Sequence, residues 1–319
     1  MQRLLTRTSL LPKYSWLTGP SPEAITWKEI LTSLFSLGGA EAQESFSDFG
    51  EFLSSRFDSS KVFLFGEHHH QPAVLNVEVD FLNKCSSLQS NGKLVLVLEH
   101  FNILQNKPLQ EYCDYVASDE REQFAALSNA YSDSSEGFRL DFYRPLFQAA
   151  RAANIRMYGG FPPREWAKVV LREGARALMD KVEVKQTGFD RWQDLRPSSA
   201  YKALITSMIS GEPPHPADPD DSPIENLKGL AVAQCLKDAF LAFTIDHHLS
   251  RGMKVLVVCG SGHVEYGLGV KERIRIAAPT ETQTVLVKTA SSELWKSSTW
   301  GQNLDENLLA DAVYFYKEQ

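Results

Sequence analysis

Short apolar runs alternate along the chain with longer stretches whose apolar residues recur at helical spacing. Lys61–Phe65 (KVFLF) and Lys93–Leu98 (KLVLVL) are almost continuously apolar, as expected of strands covered on both faces. Ile155–Tyr158, Lys254–Val258, Thr284–Lys288 and Ala312–Tyr316 are further short strand candidates. Between them, Pro72–Leu88 has helical apolar spacing at Val74, Leu75, Val77, Val79, Phe81 and Leu82. Helices are also predicted over a lead-in at 24–36, near 104–128, over Phe142–Ala153, from Pro162-Pro163 to about Asp180, and from Glu225 to about Leu249. Residues 181–224 are polar and run into GEPPHPADPDDSPIE with its five prolines, which predicts a loop or insertion outside the core. Alternating β and α elements predict an α/β fold: a mostly parallel central sheet with helices on both faces and a helical subdomain.

Composition narrows the reading. The 319 residues are 43% hydrophobic and 23% charged, which excludes a wholly disordered chain. No apolar run is long enough to span a bilayer, so an integral membrane protein is not expected. The 33 Lys and Arg against 40 Asp and Glu leave a net charge of −7, which argues against a nucleic-acid partner. Cys85, Cys113, Cys235 and Cys259 form no CxxC pair, so buried thiols are expected in place of a zinc knuckle or disulfide framework. Residues 1–45 read as a leader and linker. Arg3, Arg7 and Lys13 occur among leucines and hydroxyl residues, with no acid before Glu23, which is the composition of a mitochondrial transit peptide. A cytoplasmic chain with a basic leader is the alternative. Residues 46–319 are expected to form the α/β domain, with helical insertions at about 104–142 and 165–250.

The chemistry gathers where strands end. KVFLF runs into Gly66-Glu67-His68-His69-His70, KLVLVL into Glu99-His100, IRMY into Gly159-Gly160 and then Arg164, and KVLVV into Cys259-Gly260-Ser261-Gly262-His263. In a parallel sheet the carboxyl ends of the strands share one rim, where ligands bind. Glu67, His69, Glu99 and His263 are therefore the candidate catalytic or metal-ligating set. Mixed Glu and His donors suit a divalent transition metal, which in turn suits ester or amide hydrolysis by a metal-bound water. An acid at Glu99, extending an apolar run, needs a partner. Arg164 and Asp238 are candidates for contacting a cofactor or orienting a rim residue. Asp246, His247 and His248 are expected at the solvated end of their helix. No P-loop or G-x-S-x-G elbow is present, Gly267-Leu268-Gly269 lacks the third glycine of a dinucleotide fingerprint, and Ser261 is a weak nucleophile candidate.

The order of these motifs resembles the ChaN-like proteins of the haem-binding uptake and Tiki superfamily. Gly66-Glu67-His68-His69 is similar to their G-E-x-H opening and Leu98-Glu99-His100-Phe101 to their L-E-M-F segment, with His100 in place of Met. Tyr143–Ala150 with Pro163-Arg164 resembles their Y-x-P-L…P-R stretch, Gln234–Ala242 their Q-x-x-x-D helix, and Val258–Val270 their G-x-G-H-x-x-x-G-x-G-V block. Val74 and Leu75 stand about where the family shows a second histidine pair. The resemblance implies an α/β core with a helical subdomain and haem binding, without marking a haem ligand. It also implies a surface lipoprotein role in bacterial relatives, which the lack of a lipobox cysteine near the start does not support here. Three readings follow: a haem- or iron-related binding protein, a metal-dependent hydrolase using the same pocket, or a non-catalytic scaffold. The expected partner is haem or a small molecule, with a second copy of the chain as a further candidate.

Overall fold

The computed structural model describes residues 49–89, 92–114, 119–132, 136–210, 226–289 and 309–316. The leader and the helix expected at 24–36 lie outside them. Six strands form one sheet: β1 (Val62–Glu67), β2 (Leu94–Asn102), β3 (Arg156–Phe161), β4 (Lys254–Gly260), β5 (Thr282–Thr289) and β6 (Ala312–Tyr316). Their spatial order is β3-β2-β4-β1-β5-β6, and every neighbouring pair is parallel. From β1 the chain crosses to β2 and β3, returns to place β4 between β2 and β1, and then continues to β5 and β6. The three central strands β2, β4 and β1 thus present adjacent carboxyl ends.

Each face of the sheet is covered because the central strands are apolar at both odd and even positions. On one face, Leu241, Ala242, Ile245 and Leu249 of the long helix α10 (Asn226–Leu249) pack on Val62, Leu64, Val95, Val97, Val255 and Val257. On the other, Phe63 and Phe65 meet Phe81 of α2 (Pro72–Leu88) at ring distances of 6.2 and 5.3 Å. Phe63 also stacks on Phe57, just beyond α1 (Phe49–Arg56). Pro72 starts α2 because its missing N–H costs nothing in a first turn. Helix α5 (Leu140–Ala152) packs beside α2 and sets Phe147 against Phe101 of β2 at 5.5 Å. The region expected to be helical near 104–128 resolves into α3 (Asn106–Asp114) and α4 (Glu120–Ser132).

Two expectations are corrected. The helix after Pro163 is not one piece to Asp180. It stops as α6 (Arg164–Glu173) at Gly174, whose φ of +83° an L-residue rarely adopts, and a short α7 (Arg176–Met179) follows. The stretch 181–224 is also not a loop throughout. It holds α8 (Val182–Gln186), a 3₁₀ turn at Trp192–Leu195 and α9 (Ser199–Ser210), and its Pro-rich end lies outside the described residues. This segment does form core: Phe189 stacks on Phe240 of α10 at 3.9 Å, and Tyr201, Leu204 and Ile205 bury against Cys235, Tyr266 and Leu268. The packing of α6 to α9 around the amino-terminal half of α10 is the helical subdomain.

The far end of α10 departs from expectation as well. Asp246 is buried, accepting from Arg191 Nη2 at 2.8 Å and from the backbone N–H groups of Arg275 and Ile276 at 3.0 and 3.1 Å. His248 is buried against Tyr158, and burial together with the charges of His247 and Arg251 pushes its pKa down to about 4. The carboxylate serves here as the acceptor for the backbone N–H groups of that turn. All four cysteines are free; Cys113 is half-buried and the other three are buried.

Strand β3 extends beyond its predicted end through Gly159 and Gly160. A Cβ at Gly159 would clash with the backbone carbonyl of Asn102, and one at Gly160 with Leu241 and Val97. The glycines let β3 and α10 close on β2. Gly159→Ala is expected to lower stability by roughly 1–3 kcal/mol through overpacking, measured as a shift in urea midpoint; an unchanged midpoint would show that β2 and β3 have room to separate.

Candidate functional site

Glu67 is the last residue of β1 and is 2% exposed. Its Oε1 collects three contacts: His69 Nδ1 at 2.7 Å, His100 Nε2 at 3.0 Å and the Tyr143 hydroxyl, which donates at 3.3 Å. Burial works against the charge, but the bonds from His100 and His69 and the charge of His100 outweigh it and hold the carboxyl far below the usual carboxylate range. His69 is pushed the other way. Burial opposes its charge, yet the bond to Glu67 and the fields of Glu99 and Glu67 raise its pKa above the ordinary imidazole value.

Glu99 and His100 lie inside β2 and point to opposite sides of it, as alternation requires. His100 is fully buried, with its ring 3.9 Å from that of Tyr143 and, among the described residues, its Nδ1 without a hydrogen-bond partner. Glu99 Oε2 accepts the Gly260 N–H at 2.5 Å. Burial opposes its ionisation; His263, His69 and Lys237, with the Gly260 bond, overcome this and lower its pKa. Its Oε1 lies 3.8 Å from His69 Nε2 and 3.9 Å from His263 Nε2. His263, in the 3₁₀ turn after β4, directs Nδ1 to Asp238 Oδ1 at 2.6 Å. Asp238 is buried on α10, and its second oxygen takes the Tyr201 hydroxyl.

The four residues singled out from the strand ends therefore stand in one chain of contacts: Glu67, His69, Glu99, His263. The fold brings them together because β1, β4 and β2 are adjacent and in register, Glu67 opposite Gly260 and Leu98 opposite Val258. The two other candidates are placed differently. Asp238 has both oxygens engaged away from solvent, so it acts on a ligand only through His263. Arg164 opens α6 with an exposed side chain; its backbone N–H donates to Glu136 Oε1 at 3.0 Å, and its guanidinium lies next to Gly137.

Sequence reasoning missed several neighbours. Tyr201 belongs to the stretch read as loop, although Tyr201, Leu204, Ile205 and Met208 have helical spacing. Phe138 and Phe142 lacked any motif. They border His70, whose φ of +59° turns the chain out of the rim and whose N–H donates to the Tyr143 hydroxyl at 3.1 Å. The Phe138 ring is 5.1, 6.2 and 4.8 Å from those of His69, His70 and His100, and Phe142 is 5.6 Å from His70. Burial and the charge of His69 lower the pKa of His70, so its ring is neutral at pH 7.

Comparison with known proteins agrees with the α/β fold. The family model described as haem-binding uptake, Tiki superfamily, ChaN matches residues 53–274. The chain belongs to the ChaN family. Among solved structures, ChaN of Campylobacter jejuni, described with cofacial haem binding, superposes with a TM-score of 0.57 at 17% identity, over 79% of this chain and 90% of that one. A mutant of the erythromycin esterase EreC in its open conformation gives a TM-score of 0.44 at 10% identity, over 78% of this chain and 76% of that one. No curated protein matches. Among the described residues, no helix is long and apolar enough to cross a membrane.

Glu78 on α2 is a further acid behind Glu67. It is fully buried beside Glu67, to which its neutral carboxyl hydrogen-bonds. Burial and the Glu67 charge raise its pKa well above the usual range, so it is neutral in the folded chain where the unfolded chain would be ionised. An acid with a raised folded pKa loses stability as pH climbs past its unfolded value of about 4.3. Glu78→Gln, which cannot ionise, is expected to gain stability over the parent chain, with a difference that widens as pH rises above the unfolded value of about 4.3. Thermal melts across that range check it, and a constant difference would show that Glu78 titrates normally.

Proposed function

We propose that the protein binds haem at the half-exposed imidazole and aromatic patch beside the strand-end rim. Membership in a haem-binding family supports the ligand, and the carrying observation is the setting of His70. Its neutral ring has a lone pair to offer an iron ion. Among the described residues its one ring hydrogen bond is a long 3.4 Å contact from the Arg139 N–H, which an iron bond would replace at small cost. Phe138 and Phe142 flank it and supply apolar faces against which a porphyrin can lie. Arg139 and Arg164, on either side of this loop, are exposed cations suited to the propionates.

When bound, haem would supply an iron centre, and His70 is the residue that would hold it. The residues of this chain do the remaining work. Tyr143 fixes the His70 backbone, the Phe138 ring separates the patch from the buried Glu67 and His100 pair, and His70 presents its lone pair outward. Addition of haemin to the purified chain is expected to give a shifted Soret band with one haem per chain. His70→Ala is expected to shift that band and weaken binding at least tenfold, and Arg164→Glu to weaken it by a smaller factor. A Soret titration identical in the parent chain and His70→Ala would overturn the assignment.

A further inference from the structure

We propose that Lys237 is a carboxylate-binding residue: its ammonium holds the acid group of an organic ligand lying over the strand-end rim. Lys237 is half-buried on α10, with its Nζ 5.5 Å from the centre of the Phe161 ring. That ring is buried and stands 4.8 Å from the ring of His263. The charge of Lys237 also acts on Glu99 and His69, which come from β2 and from the turn after β1. A side chain felt by three separate elements of the rim points into the cleft and not away from it.

Lys237 differs from the other charged groups of the cleft in having no counter-ion. Among the described residues it makes no hydrogen bond and no ion pair, although acids surround it. Asp238, its chain neighbour, has both oxygens taken by His263 and Tyr201, and Glu99 gives Oε2 to the Gly260 N–H. A partly desolvated ammonium gains most from a charged acceptor, and a ring face replaces such an acceptor only in part. A bound carboxylate would supply it.

The surroundings select the class of ligand. Glu67, Glu99 and Asp238 are three buried carboxylates behind the rim, so a doubly charged group such as a phosphate monoester is repelled more than a single carboxylate. Met208, 50% exposed, lies over Gly262, and Phe138 has its ring 5.1 Å from that of His69. Apolar surface thus flanks the polar rim and suits an acid with a hydrocarbon body. The propionate of a porphyrin and a free aromatic acid both present this chemistry; only the first rests on the haem reading.

The probe is pyrenebutyrate, a fluorescent aromatic acid with one carboxylate, compared with its methyl ester on the full chain. The parent chain is expected to bind the acid about fivefold more tightly than the ester. Lys237→Gln is expected to erase that preference and Lys237→Arg to keep it, whereas a lysine that only covers Phe161 would leave the preference unchanged in both. No binding of the acid by the parent chain, equal binding of acid and ester, or a preference that survives in Lys237→Gln overturns the proposal. A crystal structure of the parent chain with pyrenebutyrate needs no substitution: a carboxylate on Lys237 Nζ upholds the site, and the acid elsewhere or absent refutes it. Soret titration of Lys237→Gln with haemin names the source. Weaker haemin binding upholds the site as one for a propionate, and unchanged haemin binding beside a lost acid preference upholds it as one for a free acid. Haemin failing to bind the parent chain while the acid preference stands removes the haem reading alone. Haemin bound through His70 with no acid preference removes the Lys237 site alone.

Discussion

A negative charge held out of water at the end of β1 organises this molecule. Glu67 can remain ionised only because His69, His100 and Tyr143 converge on one of its oxygens, and these come from the turn after β1, from β2 and from α5. Removing a partner would leave a buried carboxylate uncompensated, a loss that can reach 3–5 kcal/mol. The requirement therefore ties three separate stretches of chain into one position. It also sets the orientation of His69, and through Tyr143 it sets the backbone of His70. The two sides of the proposed chemistry, an inner donor cluster and an outer aromatic patch, share this anchor.

The anchor is effective because of the topology around it. A sheet in which β4 is inserted between β2 and β1 brings residues separated by well over a hundred positions to neighbouring strand ends. The backbone does most of that placement, as the apolar runs of β1, β2 and β4 pair in one register, while β2 shifts its register against β3 beyond Leu98. Side chains then refine it. Asp238 reaches from α10 to hold His263, and Tyr201 reaches from α9 to hold Asp238.

Much of this was legible in the residues. Apolar runs located all six strands, and the polar residues following them identified Glu67, His69, Glu99 and His263. The recurrence of histidine three places after a glycine, at Gly66 and Gly260, marks two neighbouring strand ends. What stayed hidden was mostly long-range. The partner of Asp238 lies on another element, and nothing local distinguishes an acid that holds a histidine from one that meets a ligand. Asp246 and His248 sit where a helix end is usually solvated, and only the tertiary fold buries them. The segment 181–224 misled because its Pro-rich end masked the apolar spacing of Tyr201, Leu204, Ile205 and Met208. Phe138 escaped notice because a lone aromatic in a polar loop has no pattern of its own.

Helix α10 holds two buried acids, Asp238 and Asp246, eight residues and so about 12 Å apart along its axis. One grips His263; the other grips the backbone after β4 and its turns. Rotating or sliding this helix would break both grips together, so it behaves as a fixed jaw. Met208 of α9, a helix packed on α10, lies exposed over Gly262, and the 136–139 loop and the His68–His70 turn border His69 through Phe138 and His70. Adaptation to guests of different size would therefore be written in that loop and turn while α10 stays as it is.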